Sequence, residues 1–154
     1  MRALPLFALA MLFVTTALTA ADLGIGTWRF NAAASTYESS PAPRESTRIW
    51  QPAGEGKVRF LHTSVSRDGH KGITEFVAGY DGKEYPVKGS SRYNTVSLKL
   101  VDDHVVEQVF RLKGEITVRA TRTVSKDSKR MTIIATGSNP GGRAFRNILV
   151  YDRQ

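Results

Sequence analysis

The chain has 154 residues, a net charge of +8, a hydrophobic fraction of 41% and no cysteine. The lack of cysteine excludes a disulfide framework, a cysteine-linked lipid anchor and thiol catalysis. The length predicts one domain with a substantial core, and no apolar run beyond the amino terminus is long enough for a membrane-spanning helix.

Residues 1–21 have the pattern of a secretory signal peptide. Met1 and Arg2 form a short positive start, a mostly apolar stretch follows to about Leu18, and small residues follow at 19–21. We expect cleavage at this point, which leaves one domain over residues 22–154. The expected location is the periplasm or the extracellular space.

Beyond Gly24 the apolar and polar residues alternate with period two, and turn sequences recur at short intervals. This pattern is typical of an all-β protein. The predicted strands are residues 26–30, 46–51, 57–66, 72–80, 84–88, 92–100, 104–112, 115–124, 131–136 and 143–152. Such a meander favours an up-and-down antiparallel β-barrel of about 8–10 strands, because closure removes exposed edges; a β-sandwich is the alternative.

One predicted connection, residues 32–45, is much longer than the others. A segment of this length either crosses one end of the barrel as a lid over a binding site or covers apolar residues there passively. Pro41 and Pro43 within it disfavour a helix pair.

Three features of the sequence resemble known β-barrel families. Gly26-Thr27-Trp28 on the first strand resembles the G-x-W motif of lipocalins, and the turns at 80–83 and 125–129 resemble those of fatty-acid-binding proteins. The whole layout is similar to small exported bacterial proteins with a lipocalin-like (calycin-type) barrel. The resemblance implies a lipocalin-like domain over residues 22–154, with Trp28 filling one end.

The carboxyl-terminal strand departs from the fatty-acid-binding pattern. In that family an Arg-x-Tyr sequence near the end of the chain holds the ligand carboxylate. Here Tyr151 is present, but Leu149 stands at the arginine position. The fatty-acid chemistry of that family therefore does not transfer directly.

A barrel of this size either fills with side chains or keeps a small cavity. Four large aromatic residues lie on predicted apolar strand faces and are the expected lining of such a cavity: Phe60, Phe76, Phe110 and Phe145. Aromatic and aliphatic walls would suit a small apolar or amphipathic ligand.

Three polar residues are candidates to orient a ligand. Arg122 shares a predicted inward face with Ile116, Val118 and Ala120, so it is the candidate anchor for a charged head; alternatively it reaches water at a strand end. Tyr151 would add a hydroxyl, or else is a rim aromatic. His62, on the face of Phe60, would donate or accept a hydrogen bond in the pocket, bind haem or a metal, or simply belong to the core.

The sequence contains no recognised motif for catalysis or metal binding. There is no H-E-x-x-H, no EF-hand loop and no G-x-S-x-G. We therefore predict a secreted, non-catalytic protein without metal or cofactor that holds a small apolar or amphipathic molecule in the barrel. The alternative is an envelope interaction module that binds a partner protein or polyanion through its basic surface; the scattered lysines and arginines do not indicate a specific nucleic-acid site.

Overall fold

The computed structural model describes residues 21–154, so the predicted signal peptide lies almost entirely outside the described residues. Over residues 21–154, ten strands follow one another with a single short 3₁₀ helix at Ala32–Ala34. They are β1 (Gly26–Phe30), β2 (Glu45–Pro52), β3 (Lys57–Val65), β4 (Lys71–Gly79), β5 (Tyr85–Lys88), β6 (Thr95–Leu100), β7 (Val105–Leu112), β8 (Glu115–Val124), β9 (Arg130–Ser138) and β10 (Ala144–Arg153).

The strands form one closed antiparallel barrel. Each strand pairs with its neighbours in the chain, and β1 closes the ring by pairing with both β2 and β10. At the closure Phe30 lies opposite Tyr151 on β10, while Trp28 lies opposite Arg48 on β2. The barrel prediction is confirmed, and the sandwich alternative is wrong.

Alternation along the strands sends every second side chain into the barrel. On β8 the buried residues are Val118, Ala120, Arg122 and Val124, as the sequence pattern predicted. Ile116 differs from the prediction because it is 44% exposed. The pairing register between β7 and β8 shifts at this point, close to the hairpin turn, so Ile116 lies beyond the packed interior.

Trp28 fills one end of the barrel, as predicted, and is completely buried. Its indole Nε1 donates a hydrogen bond to the carbonyl of Gly24 at 2.8 Å. The guanidinium of Arg153 lies 4.2 Å from the Trp28 ring centroid and donates to the carbonyls of Ile25 and Leu23 at 2.8 and 2.7 Å. The chain before β1 is therefore held across this end, which we call the closed end.

The segment 31–44 lies at the opposite, open end and follows β10. Thr36 pairs with Ile148, and the Asn31 side chain donates to Asp152 Oδ2 at 2.7 Å. The segment contains only the short 3₁₀ helix, as the two prolines led us to expect. Among the described residues, no helix is long and apolar enough to cross a membrane.

Candidate functional site

A cavity of about 130 Å³ lies inside the open half of the barrel. Its space comes from small side chains, because Ala120 on β8 lies directly opposite Ala135 on β9. Larger apolar residues complete the wall: Tyr37, Phe60, Tyr93, Phe110, Val118, Ile133, Phe145 and Leu149. The open half of the interior therefore keeps a small space, whereas Trp28 occupies the closed end.

A second cavity, of about 340 Å³, lies beneath the segment that carries Tyr37, Pro41 and Pro43. Its residues include Arg48, His62 and Leu149, which also line the interior cavity. The two spaces adjoin at these shared residues. The outer cavity therefore borders the barrel interior at Arg48, His62 and Leu149.

Arg48 stands where the two cavities meet. It lies on the inward face of β2, opposite His62 on β3. Its guanidinium carbon lies 5.6 Å from the Phe60 ring centroid and 5.0 Å from that of Tyr151, so aromatic faces support the cation on two sides. Its Nε is buried and has no hydrogen-bond partner among the described residues.

Two further donors around the interior cavity also lack partners. Arg92, in the loop before β6, places its guanidinium carbon 5.0 Å from the Phe145 ring centroid, and its Nη2 is unpartnered. Gln108 on β7 is 2% exposed, and its amide Nε2 is likewise unpartnered. Buried donors are nearly always satisfied by protein, water or ligand, so these three mark the polar positions on the wall where an acceptor would bind.

His62 belongs to a short chain of polar groups at the same place. Its Nε2 lies 2.8 Å from the hydroxyl oxygen of Ser46, which lies 3.1 Å from the hydroxyl of Tyr151. Burial, together with the positive charge of Arg48, lowers the pKa of His62 to about 3. The imidazole is therefore neutral at physiological pH and acts as a hydrogen-bonding group.

Of the seven candidate ligand-binding residues predicted from the sequence, five line at least one of the two cavities and two do not. Phe60, His62, Phe110 and Phe145 line the interior cavity, and Tyr151 lines the outer cavity. Ligand binding by these residues stays a prediction, but their positions are compatible with it.

Phe76 and Arg122 lie elsewhere. Phe76 is buried and stacks on Phe60, with 4.7 Å between ring centroids, so it supports the wall behind the cavity. Arg122 points inward as expected but lies at the closed end, where its Nη2 is 2.5 Å from Asp22 Oδ1. Because its charge is already paired there and it does not line the interior cavity, the structure offers no support for Arg122 as the ligand anchor.

The sequence analysis missed Arg48 and Arg92. A signal for Arg48 exists: Trp50 is the natural core residue of β2, and period-two alternation places Arg48 on the same inward face. No such signal exists for Arg92, because it lies in a loop, where period-two alternation does not predict the direction of a side chain. Within residues 21–154, no group of three or more metal-ligating side chains is placed to hold a metal ion.

The described residues form a closed up-and-down antiparallel barrel of ten strands with an inner cavity, and the eight-stranded lipocalins have the same kind of architecture. One similar solved structure is a mutant of the fluorescent protein UnaG, with a TM-score of 0.56, 14% identity, and coverage of 84% of this chain and 95% of that one. Another is the zebrafish ileal bile acid-binding protein complexed with cholic acid, with a TM-score of 0.54, 13% identity, and coverage of 86% and 100%. No protein-family model matches the sequence, and a comparison with curated proteins gives no significant match. At these identities the likeness establishes the fold.

Proposed function

We propose that this protein is a secreted, non-catalytic binding protein that holds a small apolar or amphipathic molecule inside the barrel. The observation that carries the proposal is the interior cavity of about 130 Å³, walled by aromatic and aliphatic side chains and adjoining an outer cavity of about 340 Å³. Transfer of an apolar group from water into such a preformed space supplies the driving force.

The polar groups of the cavity favour binding over catalysis. Ser46 and His62 are within hydrogen-bond distance, which is the first requirement for an activated serine. However, a general base needs a pKa near the working pH, and the pKa of His62 is about 3. The pair is better suited to hold a ligand in a fixed orientation than to remove a proton.

The structural neighbours support the same proposal. The zebrafish protein is by its title a bile acid-binding protein and holds cholic acid, an amphipathic molecule. A protein of similar fold thus binds an amphipathic molecule, which supports the proposal.

Secretion is the part of the proposal that depends on residues 1–21. Cleavage after Ala21 would leave Asp22 as the first residue, and Asp22 forms buried contacts at the closed end. We expect the intact mass of the protein exported by a bacterial host to correspond to residues 22–154. A full-length mass in the cytoplasmic fraction would contradict secretion.

Ligand binding can be tested by native mass spectrometry and titration with decanol, decanoate and cholate. Ala120→Phe would fill the interior cavity, whereas Thr121→Phe, its exposed neighbour on β8, is the matched control. We expect the wild type and T121F to bind at least one of these probes and A120F to bind it about 10-fold more weakly or worse, as expected when apolar contact is lost.

Ala135→Leu provides a second, smaller cavity-filling variant should A120F fail to fold. Failure of the wild type to bind any probe would overturn the proposal. Binding that neither A120F nor A135L weakens would place the ligand outside the barrel and favour the basic surface as an interaction site.

A further inference from the structure

We infer that the ligand of this barrel is an amphipathic organic anion, whose oxyanion head lies between Arg48 and Arg92 with its apolar part in the interior cavity. The inference rests on the proposed function and adds the chemical class and the orientation of the ligand. It is carried by the charges, the unpartnered donors and the positions of these two arginines.

Charge is the first argument. Arginine stays protonated in proteins, so both side chains are cations. None of the ion pairs among the described residues includes Arg48 or Arg92, although Arg111, Arg122 and Arg130 all have carboxylate partners. Unpaired cations that are largely withdrawn from water are costly, and an anionic ligand would relieve that cost.

The surroundings of the two arginines are the second argument. No acidic residue lines either cavity, and Lys71 adds a further positive charge to the outer one. A cleft lined by one sign of charge within low-dielectric walls concentrates ions of the opposite sign. Both cavities therefore favour an anion.

Hydrogen bonding is the third argument. Arg48 Nε, Arg92 Nη2 and Gln108 Nε2 are buried donors without partners, and each belongs to a residue that lines the same cavity. An oxyanion brings several acceptor lone pairs on one group, and guanidinium groups match carboxylates and phosphates in geometry. An alcohol or a hydrocarbon would satisfy fewer of these donors.

Position gives the orientation. Arg48 lines both cavities and so marks the mouth of the inner one. Arg92 lies in the loop before β6 at the same end, and both arginines line the inner cavity. Beyond them Ala120 and Ala135 lie side by side on one wall, with the Gln108 amide next to Ala120. The head therefore lies at the mouth and the apolar part points inward.

This arrangement differs from the Arg-x-Tyr pattern near the chain end, where Leu149 replaces the arginine. The cations come from β2 and from the loop before β6 instead. The chain thus supplies positive charge to the cavity from one strand and one loop, neither of them the last strand.

The test compares three probes with the same ten-carbon chain: decanoate, decyl phosphate and decanol. Calorimetric titration of the protein spanning residues 22–154 should show that at least one of the two anions binds about 10-fold to 100-fold more tightly than decanol, as charge-assisted hydrogen bonds predict. The double variant Arg48→Met/Arg92→Met should lose that preference while its affinity for decanol changes less than about 3-fold. Arg119→Met, an exposed arginine on β8, is the matched control and should retain the preference.

The outcomes separate this inference from the proposed function. Equal affinity of the wild type for decanol and both anions would overturn the anion site and leave the binding function standing. Absence of binding of all three probes would overturn both. An equal loss of anion binding in R119M would show a general effect of positive charge and overturn the two-arginine site. If the double variant does not fold, the single loop variant R92M, at unchanged thermal stability, must still weaken anion binding, and failure to do so overturns the inference.

Discussion

Arg122 and Asp22 form a buried ion pair at the closed end of the barrel, with 2.5 Å between Nη2 and Oδ1 and side-chain exposures of 0% and 4%. The same carboxylate oxygen accepts a hydrogen bond from the Gly24 amide at 2.7 Å, and the other accepts one from the Tyr80 hydroxyl. The Arg122 guanidinium also lies 4.5 Å from the Trp50 ring centroid. One pair thus joins the chain before β1 to β8 and to the core.

Breaking this pair should destabilise the barrel strongly. Asp22→Asn leaves the buried Arg122 cation without its counter-ion, and Arg122→Met leaves the carboxylate unpaired. We expect each variant to lower the free energy of unfolding by about 3–5 kcal/mol, measured by urea denaturation. The double variant should lose clearly less than the sum of the two, and additive losses would contradict a direct coupling.

Gly24 should not accept a side chain. A Cβ at this position would lie 2.2 Å from Arg122 Nη1 and 2.4 Å from its Cζ, in the middle of the ion pair. We expect Gly24→Ala to lower the free energy of unfolding by about 1–3 kcal/mol through overpacking. Gly141→Ala is the control, since its Cβ would meet nothing nearer than 3.5 Å. Equal free energies of unfolding for the two variants would show that the side chains at the closed end can move to accommodate the added methyl group.

Asn147 should hold the segment over the open end in place. Its Oδ1 accepts hydrogen bonds from the amides of Glu38 and Ser39 at 2.7 and 3.1 Å, and its Nδ2 donates to Ser39 Oγ at 2.9 Å. In Asn147→Ala we expect the amides of Glu38 and Ser39 to exchange with solvent deuterons at least about 10-fold faster.

Asn139→Ala is the matched control, because Asn139 caps the β9–β10 turn through the Arg143 amide. It should leave exchange at Glu38 and Ser39 unchanged. Unaltered exchange of these two amides in N147A would mean that the pairing of Thr36 with Ile148 holds the segment by itself.

His62 should make the protein sensitive to acid. Its pKa is about 3 in the folded protein and about 6.5 in the unfolded chain, so between these values the unfolded chain binds a proton that the folded protein does not. The free energy of unfolding should therefore fall as the pH drops from about 6.5 towards 3, by up to about 1.4 kcal/mol per pH unit, and be independent of His62 above that window.

The variant His62→Gln isolates this contribution, because the carboxylates titrate in both proteins. Denaturation at pH 7 and pH 4 should show a smaller loss of stability in H62Q than in the wild type. The same loss in both proteins would mean that His62 is protonated in the fold, and that Arg48 and burial do not suppress its charge as described.

The strands were largely predictable because alternation and turn chemistry are local. The hairpin of β3 and β4 and the burial of Trp28 follow from such signals. The prediction that residue 92 begins a strand is wrong: Arg92 lies in the loop before β6, which begins at Thr95. A loop beside a strand can alternate by chance, and only the hydrogen-bond ladder shows where pairing begins.

By itself, the sequence determined an all-β chain of about ten antiparallel strands, because side-chain alternation and turn residues act over a few positions. Tertiary structure decided that the ring closes, that Ala120 and Ala135 lie side by side on the cavity wall, and which inward arginine has no ion pair among the described residues. Arg48 and Arg122 have similar local patterns, yet Asp22, which lies 100 residues from Arg122 in the chain, forms its ion pair with Arg122 and not with Arg48. No local rule determines such a contact, because it depends on the fold that brings distant segments together.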